Sequence, residues 1–217
     1  MAAAGASFTN HPGIIDFQGN SYFFYHNGAL PGGSGYTRSV SVEQFTYNSD
    51  GTIPTLKMTS NPSQIGTLNP YVRQEAETMA WSSGVETETC AEGGMQLSYL
   101  NNGDYVKLRG VAFGNGAKSF SARVSSATSG GKIEIRLGIA TGALVGTCTV
   151  PGTGSWTTYT TVTCSVSGAT GTQDLFLRFT GGSDNLFNFN WWQFSNGSTI
   201  TTGTTTNSTT TASSNTP

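Results

Sequence analysis

The sequence predicts an all-β protein whose main part is a β-sandwich, and three observations predict it. Runs rich in Val, Thr, Ile and aromatic residues recur at short, regular spacing through residues 71–194, with glycine turns between them. Charged residues are only 10% of the 217 and glycine numbers 29, which suits a secreted β protein better than a helical cytosolic one. No segment carries the apolar repeat of an amphipathic helix. The net charge is −2 without a basic run, which argues against nucleic acid or an anionic membrane surface as a partner. No stretch approaches the apolar length of a membrane span.

Residues 1–55 come first. Residues 1–7 have neither the basic start nor the apolar core of a secretory signal. Residues 14–17 and 21–26, joined by Gln18-Gly19-Asn20, read as a hairpin, and 39–47, with Val40, Val42 and Phe45 among polar residues, as a third strand. Three strands make a marginal domain at best. Residues 56–70, with Pro62, Gly66 and Pro70, read as a linker.

Residues 71–194 are long enough for one sandwich core. Strands are predicted over 72–77, 95–100, 104–111, 119–124, 132–137, 144–150, 157–166, 173–180 and 186–194. The stretch 98–106 reads as a hairpin, because Asn102-Gly103 supplies the positive φ angles of a tight two-residue turn. Residues 195–217 are almost wholly Ser, Thr, Asn and Gly, which cannot bury a core, and read as a disordered Ser/Thr-rich linker. Asn196-Gly197-Ser198 and Asn207-Ser208-Thr209 are N-glycosylation acceptors. From an extracellular make-up without an export signal, the chain is expected to be a fragment whose natural start is missing.

Cys148 and Cys164 lie in Thr/Val-rich segments separated by the turn-like Pro151-Gly152-Thr153-Gly154. If the segments are antiparallel neighbours, the sulfurs face each other, so a disulfide is expected and with it an oxidising compartment. Cys90 is then left as a buried free thiol.

Several side chains have both a structural and a functional reading. Tyr99, just before the Asn-Gly turn, is either a core aromatic of its strand or a ring facing a loop-built surface. Trp156 follows a glycine-rich loop, an unusual place for a core tryptophan. Asn188 reads as a turn residue or a hydrogen-bonding group, and Glu88 as a solvated loop glutamate or a rim acceptor. Glu75 and Glu77, two apart in the predicted strand, share a face. They are either an exposed acidic pair or the ligands of a hard cation such as calcium. Of Trp191 and Trp192, neighbours on one strand, one ring must enter the core.

Two families then come into view. Asn10-His11-Pro12-Gly13-Ile14, Tyr22-Phe23-Phe24-Tyr25-His26-Asn27-Gly28, Pro31-Gly32-Gly33-Ser34-Gly35 and Arg38-Ser39-Val40 resemble the closing segment of glycoside hydrolase family 43, whose arabinoxylan-debranching members are β-propellers. The resemblance implies that residues 1–55 are part of a propeller blade. It places His11 near the propeller axis beside a water-bound metal ion, and Arg38 in the substrate pocket. The family's catalytic carboxylates lie in earlier blades, and Asp16 and Glu43 match none of its catalytic motifs. The chain alone is therefore expected to be inactive, since glycoside hydrolysis needs a pair of carboxylates across the sugar bond.

Gln74-Glu75-Ala76-Glu77, Gly84-Val85-Glu86-Thr87-Glu88, Glu92-Gly93-Gly94, Tyr99 through Tyr105, Phe113-Gly114-Asn115-Gly116-Ala117, Thr153-Gly154-Ser155-Trp156 and Phe187 through Phe194 resemble carbohydrate-binding module family 6, in order and over nearly all of 71–194. The resemblance implies a jelly-roll, galactose-binding-like sandwich. In it a sugar ring is held between Tyr99 and Trp156, with Asn188 and, less directly, Glu88 bonding its hydroxyls. It also implies a structural Ca2+ on Glu75, Glu77 and Asn190, where the family often has aspartate. The second tryptophan of the Trp191-Trp192 pair would cover a sheet face. The expected function is non-catalytic binding of xylan or arabinoxylan by a secreted, monomeric chain that targets a plant cell-wall hydrolase. The rivals are the α-L-arabinofuranosidase itself and an adhesive sandwich that has lost its sugar site.

Overall fold

The computed structural model describes residues 8–9, 11–17, 19–29, 32–58 and 66–197. They form two compact units that divide between Thr67 and Leu68. The expected Ser/Thr-rich linker lies, from residue 198 onward, outside the described residues.

The first unit is an antiparallel meander of β1 (Gly13–Phe17), β2 (Asn20–Asn27) and β3 (Ser39–Phe45), as the alternation of its residues predicts. Phe23, Tyr25 and Phe45 pack on one face with Leu56. The Tyr25 hydroxyl donates to Glu43 Oε1 at 2.9 Å, and burial followed by this contact pushes the phenol up to about 12. By contrast, β1 is exposed along its whole length, including Ile14, Ile15 and Phe17.

The second unit is a sandwich of two antiparallel sheets. The five-stranded sheet has the order β11 (Ala143–Pro151), β10 (Gly130–Leu137), β13 (Gly171–Gly181), β8 (Tyr105–Gly114), β5 (Trp81–Ser83). The other runs β12 (Ser155–Ser165), β9 (Ser119–Ser126), β14 (Asn188–Ser195), β7 (Met95–Ser98), β6 (Glu86–Thr89), with β4 (Gln74–Glu75) also paired to β14. Alternation sends Val106, Leu108, Ile133, Ile135, Leu175, Leu177 and Phe179 inward from one sheet. From the other come Phe120, Ala122 and Val124. Trp192 is the core member of the tryptophan pair, packed with Phe120 and Phe194. Before β4, Leu68 pairs in parallel with Val111.

Three expectations change. Residues 98–106 are not a hairpin: β7 and β8 belong to different sheets, and the segment carries the chain across the sandwich. A two-residue hairpin turn of the type predicted needs positive φ at both central residues, whereas only Gly103 of the pair has it. The Gly103 N–H instead donates to Phe179 O at 2.8 Å, and Asp104 Oδ2 accepts from the Asn101 N–H at 2.7 Å.

The predicted strand at 72–77 shrinks to β4, with Glu77 in the following turn, where the Thr78 N–H bonds Glu75 O at 3.0 Å. Glu75 and Glu77 therefore do not share a strand face. Cys148 and Cys164 do form the expected disulfide, with Cα atoms 5.1 Å apart. They are not neighbours within one sheet, however. β11 and β12 are the edge strands of opposite sheets, so the bridge ties the two layers at their common edge. Its sequence separation of 16 corresponds to about 3 kcal/mol of stabilisation in the loop-entropy account. Cys90 is free and buried.

Candidate functional site

At the end of the sandwich where β7 hands over to β8, Glu88, Ser98, Tyr99, Trp156, Asn185 and Asn188 line one cleft of about 160 Å³. The two aromatic side chains are aimed by local departures from regular structure. Tyr99 has φ 56°, a left-handed conformation that costs a bulky residue about 1–3 kcal/mol. That twist ends β7 and leaves the ring 49% exposed. The Asn101 amide fixes it by donating to Tyr99 O at 2.7 Å.

Trp156 lies in an interruption of the β12–β9 ladder, whose register passes directly from Ser155↔Ser126 to Tyr159↔Ser125. The extra residues bulge outward, a common device for re-aiming a side chain. The Trp156 carbonyl is held by Ser125 Oγ at 2.6 Å and Asn188 Nδ2 at 3.2 Å. A neighbouring hollow of about 320 Å³ shares Glu88, Trp156 and Asn188 and adds Cys90, Gln96 and Tyr159.

The polar floor is tightly organised. Glu88 Oε1 accepts from Ser98 Oγ at 2.6 Å, Gln96 Nε2 at 2.9 Å and Asn188 Nδ2 at 3.3 Å. Gln96 Oε1 in turn accepts from the Tyr159 hydroxyl at 2.6 Å. Burial, and after it the contact with the Cys90 thiol, pushes that phenol up to about 12, so it stays a neutral donor. Glu88 Oε2 and Asn188 Oδ1 have no protein partner among the described residues and are free to accept from a ligand. The cleft thus offers two aromatic planes, suited to the C–H face of a sugar ring, above acceptors for its hydroxyls. Glu88 is the one carboxylate among the lining residues, whereas hydrolysis calls for two.

A second polar locus lies at β4 and β14. The Ala76 N–H, one residue before Glu77, bonds Asn190 O at 2.9 Å. Glu77 Oε2 and Asn190 Oδ1 are both buried without a hydrogen-bond partner. Asn190 Nδ2 donates to Glu92 Oε2 at 3.0 Å. Arg123 bonds the same carboxylate and holds it below the usual glutamate range. Glu75 is engaged elsewhere, with both oxygens on Arg73 at 2.9 and 3.0 Å, and Arg73 stacks over Trp191 at 5.3 Å. Among the described residues no group of three or more His, Cys, Asp or Glu is disposed to hold a metal. Two orphaned oxygens, one of them a carboxylate's, nevertheless fit a hard cation. Glu75 fits only if it leaves Arg73.

In the first unit, His11 (φ 39°) packs edge-on against His26, with ring centroids 4.8 Å apart, and Arg38 Nη1 donates to His26 Nε2 at 3.1 Å. His26, which the sequence reading left out, is the hub of this group. Burial first, then Arg38 and His11, hold its pKa below the usual imidazole value.

A sequence profile described as "Carbohydrate binding module (family 6)" matches residues 75–196. The chain belongs to this family. A family 6 module from Clostridium cellulolyticum, solved in complex with xylose, is 54% identical with a TM-score of 0.58 and covers 59% of this chain and 99% of its own. Similarity also reaches past the module. An arabinoxylan arabinofuranohydrolase of Bacillus subtilis (strain 168) is 43% identical over 195 residues, 84% of this chain and 38% of the relative. A Bacillus subtilis family 43 arabinoxylan arabinofuranohydrolase, solved with cellotetraose, has a TM-score of 0.77 at 41% identity, over 86% of this chain and 41% of its own. The chain therefore spans about two fifths of the length of these hydrolases, and its first unit resembles a part of them outside the family 6 module.

Proposed function

We propose that the second unit binds xylan or arabinoxylan without cleaving it, and that it targets a secreted, plant-wall-degrading hydrolase of which this chain is the C-terminal part. One observation carries the reading: Tyr99 and Trp156, far apart in sequence, meet over the Glu88–Asn188 floor of a single cleft. The xylose complex of the 54% identical module supports a pentose ligand. The fragment reading is supported by the exposed apolar residues of β1, which a neighbouring strand would cover.

The rival, that the relevant entity is the arabinofuranohydrolase itself, draws on His11 and Arg38, which the family 43 resemblance places near the propeller axis and in the substrate pocket respectively. In the present reading the two belong to one larger enzyme, with this module as its anchor and the chain acting as a monomer. Calcium fits at Glu77 and Asn190, with Glu75 joining once released from Arg73. When bound, the ion supplies charge neutralisation and rigidity to the β4–β14 corner. The test is NMR mapping of the purified chain with xylohexaose. The expected result is that the Trp156 indole and Asn188 side-chain resonances shift together. Shifts confined to other surfaces would overturn the assignment.

A further inference from the structure

Every side-chain proton on the floor of the Tyr99–Trp156 cleft is already committed. A chain of hydrogen bonds reaches Glu88 from behind and runs one way. The Cys90 thiol donates to the Tyr159 hydroxyl at 3.4 Å, the hydroxyl to Gln96 Oε1 at 2.6 Å, and Gln96 Nε2 to Glu88 Oε1 at 2.9 Å. Ser98 gives its one hydroxyl proton to the same oxygen at 2.6 Å. Asn188 Nδ2 divides its two protons between Glu88 Oε1 at 3.3 Å and the Trp156 carbonyl at 3.2 Å. Both of those partners are acceptors, so the amide can face them only with its nitrogen. Gln96 is fixed in the same way, by a carboxylate at its nitrogen and a donating hydroxyl at its oxygen.

The side chains of the floor therefore turn only acceptors toward a ligand, Glu88 Oε2 and Asn188 Oδ1. Ser98 and Asn188 are 1% and 4% exposed, so neither can offer its proton without giving up a bond whose loss burial makes costly. The donors that line the cleft, Tyr99, Trp156 and Asn185, belong to exposed or half-buried side chains. A group seated on the floor must bring its own protons. Glu88 and Asn188 bond each other directly, so two neighbouring hydroxyls suit them.

We propose that the cleft is specific for xylosyl units whose neighbouring hydroxyls are unesterified, and that it rejects the O-acetylated form of the same polymer. This specificity presupposes the sugar-binding reading of the cleft and narrows it. An acetyl ester has lost the hydroxyl proton and meets the floor oxygens with oxygens of its own. The floor acceptors are then desolvated without a partner, the mismatch that a site built around hydroxyls rejects most strongly. The class of reaction that must expose the ligand is therefore ester hydrolysis, in which water adds to the acetyl carbonyl, acetic acid departs and the sugar oxygen regains its proton.

The test titrates the purified chain calorimetrically with xylotetraose acetylated at its O2 and O3 positions, and with the same sample after mild alkali has removed the esters. The de-esterified sample should bind, and the acetylated one should bind about thirtyfold more weakly or not at all. The oligomer with fluorine in place of those hydroxyls separates the missing proton from the added bulk, and should lose about tenfold or more. Glu88→Gln should reverse the preference. The three donors at Oε1 hold the new amide's oxygen there and turn its nitrogen into the cleft. This variant should bind the free oligomer about tenfold more weakly, with at most about a threefold further loss on fluorination. Equal binding of the acetylated and free oligomers, or a fluorinated oligomer as tight as its parent, would overturn the proposal and leave sugar binding standing. A de-esterified sample that does not bind would overturn the sugar reading and the proposal with it. The fluorinated oligomer decides the matter on the unaltered chain even if Glu88→Gln fails to fold.

Discussion

Asn188 and Asn190 lie two residues apart on β14 and end in opposite conditions. Asn188 spends its Nδ2 on Glu88 and the Trp156 carbonyl and keeps its oxygen for the cleft. Asn190 spends its Nδ2 on Glu92, and its oxygen, like Glu77 Oε2, is buried with no hydrogen-bond partner. A buried acceptor without a hydrogen bond costs about 1–3 kcal/mol. In the proposed reading, the difference separates a site complete before its ligand arrives from a corner that a bound cation would complete.

The largest effect expected is on the cleft. Trp156→Ala should cost about 2–3 kcal/mol of xylo-oligosaccharide affinity, the worth of a lost aromatic wall, with an unchanged unfolding midpoint; calorimetry reads both. At the corner the sign should depend on metal. Asn190→Asp adds a charge that tightens calcium about tenfold. In chelator it lowers the unfolding temperature, because the new carboxylate then faces Glu92, to which the Asn190 amide otherwise donates. A variant equally stable in both conditions would erase the distinction.

Tyr99→Gly probes the strain stored in the cleft. It should be more stable than Tyr99→Ala by about 1 kcal/mol, because only glycine relieves the positive φ, while both lose sugar affinity. The smallest effect falls on Tyr159→Phe, which removes the hydroxyl bonded to Gln96. It should weaken sugar binding by about 1 kcal/mol through a less firmly held Glu88, measured by the same titration.

Most strands were legible in the sequence because a half-buried strand repeats every second residue, as in Val106–Leu108 or Leu175–Leu177–Phe179. β5 and β6 are too short to show that repeat. The Asn102-Gly103 pair announced a turn but not which sheets it joins, since that is decided by the Phe179 carbonyl far along the chain. Cys148 and Cys164 were paired correctly on a premise the fold replaces, as they meet between sheets. Trp156 stood out by its glycine-rich approach, and the ladder interruption that aims it has no sequence mark.

The most direct test of the account titrates xylohexaose into the purified chain with calcium and again with chelator, beside Trp156→Ala. The account predicts that chelation lowers the unfolding temperature but leaves affinity within about twofold, well under the tenfold that 1.4 kcal/mol represents, and that Trp156→Ala abolishes the heat in both. An affinity that collapses with chelator, or a Trp156→Ala chain that still binds as tightly, would contradict a cleft formed in advance by Tyr99, Trp156, Glu88 and Asn188.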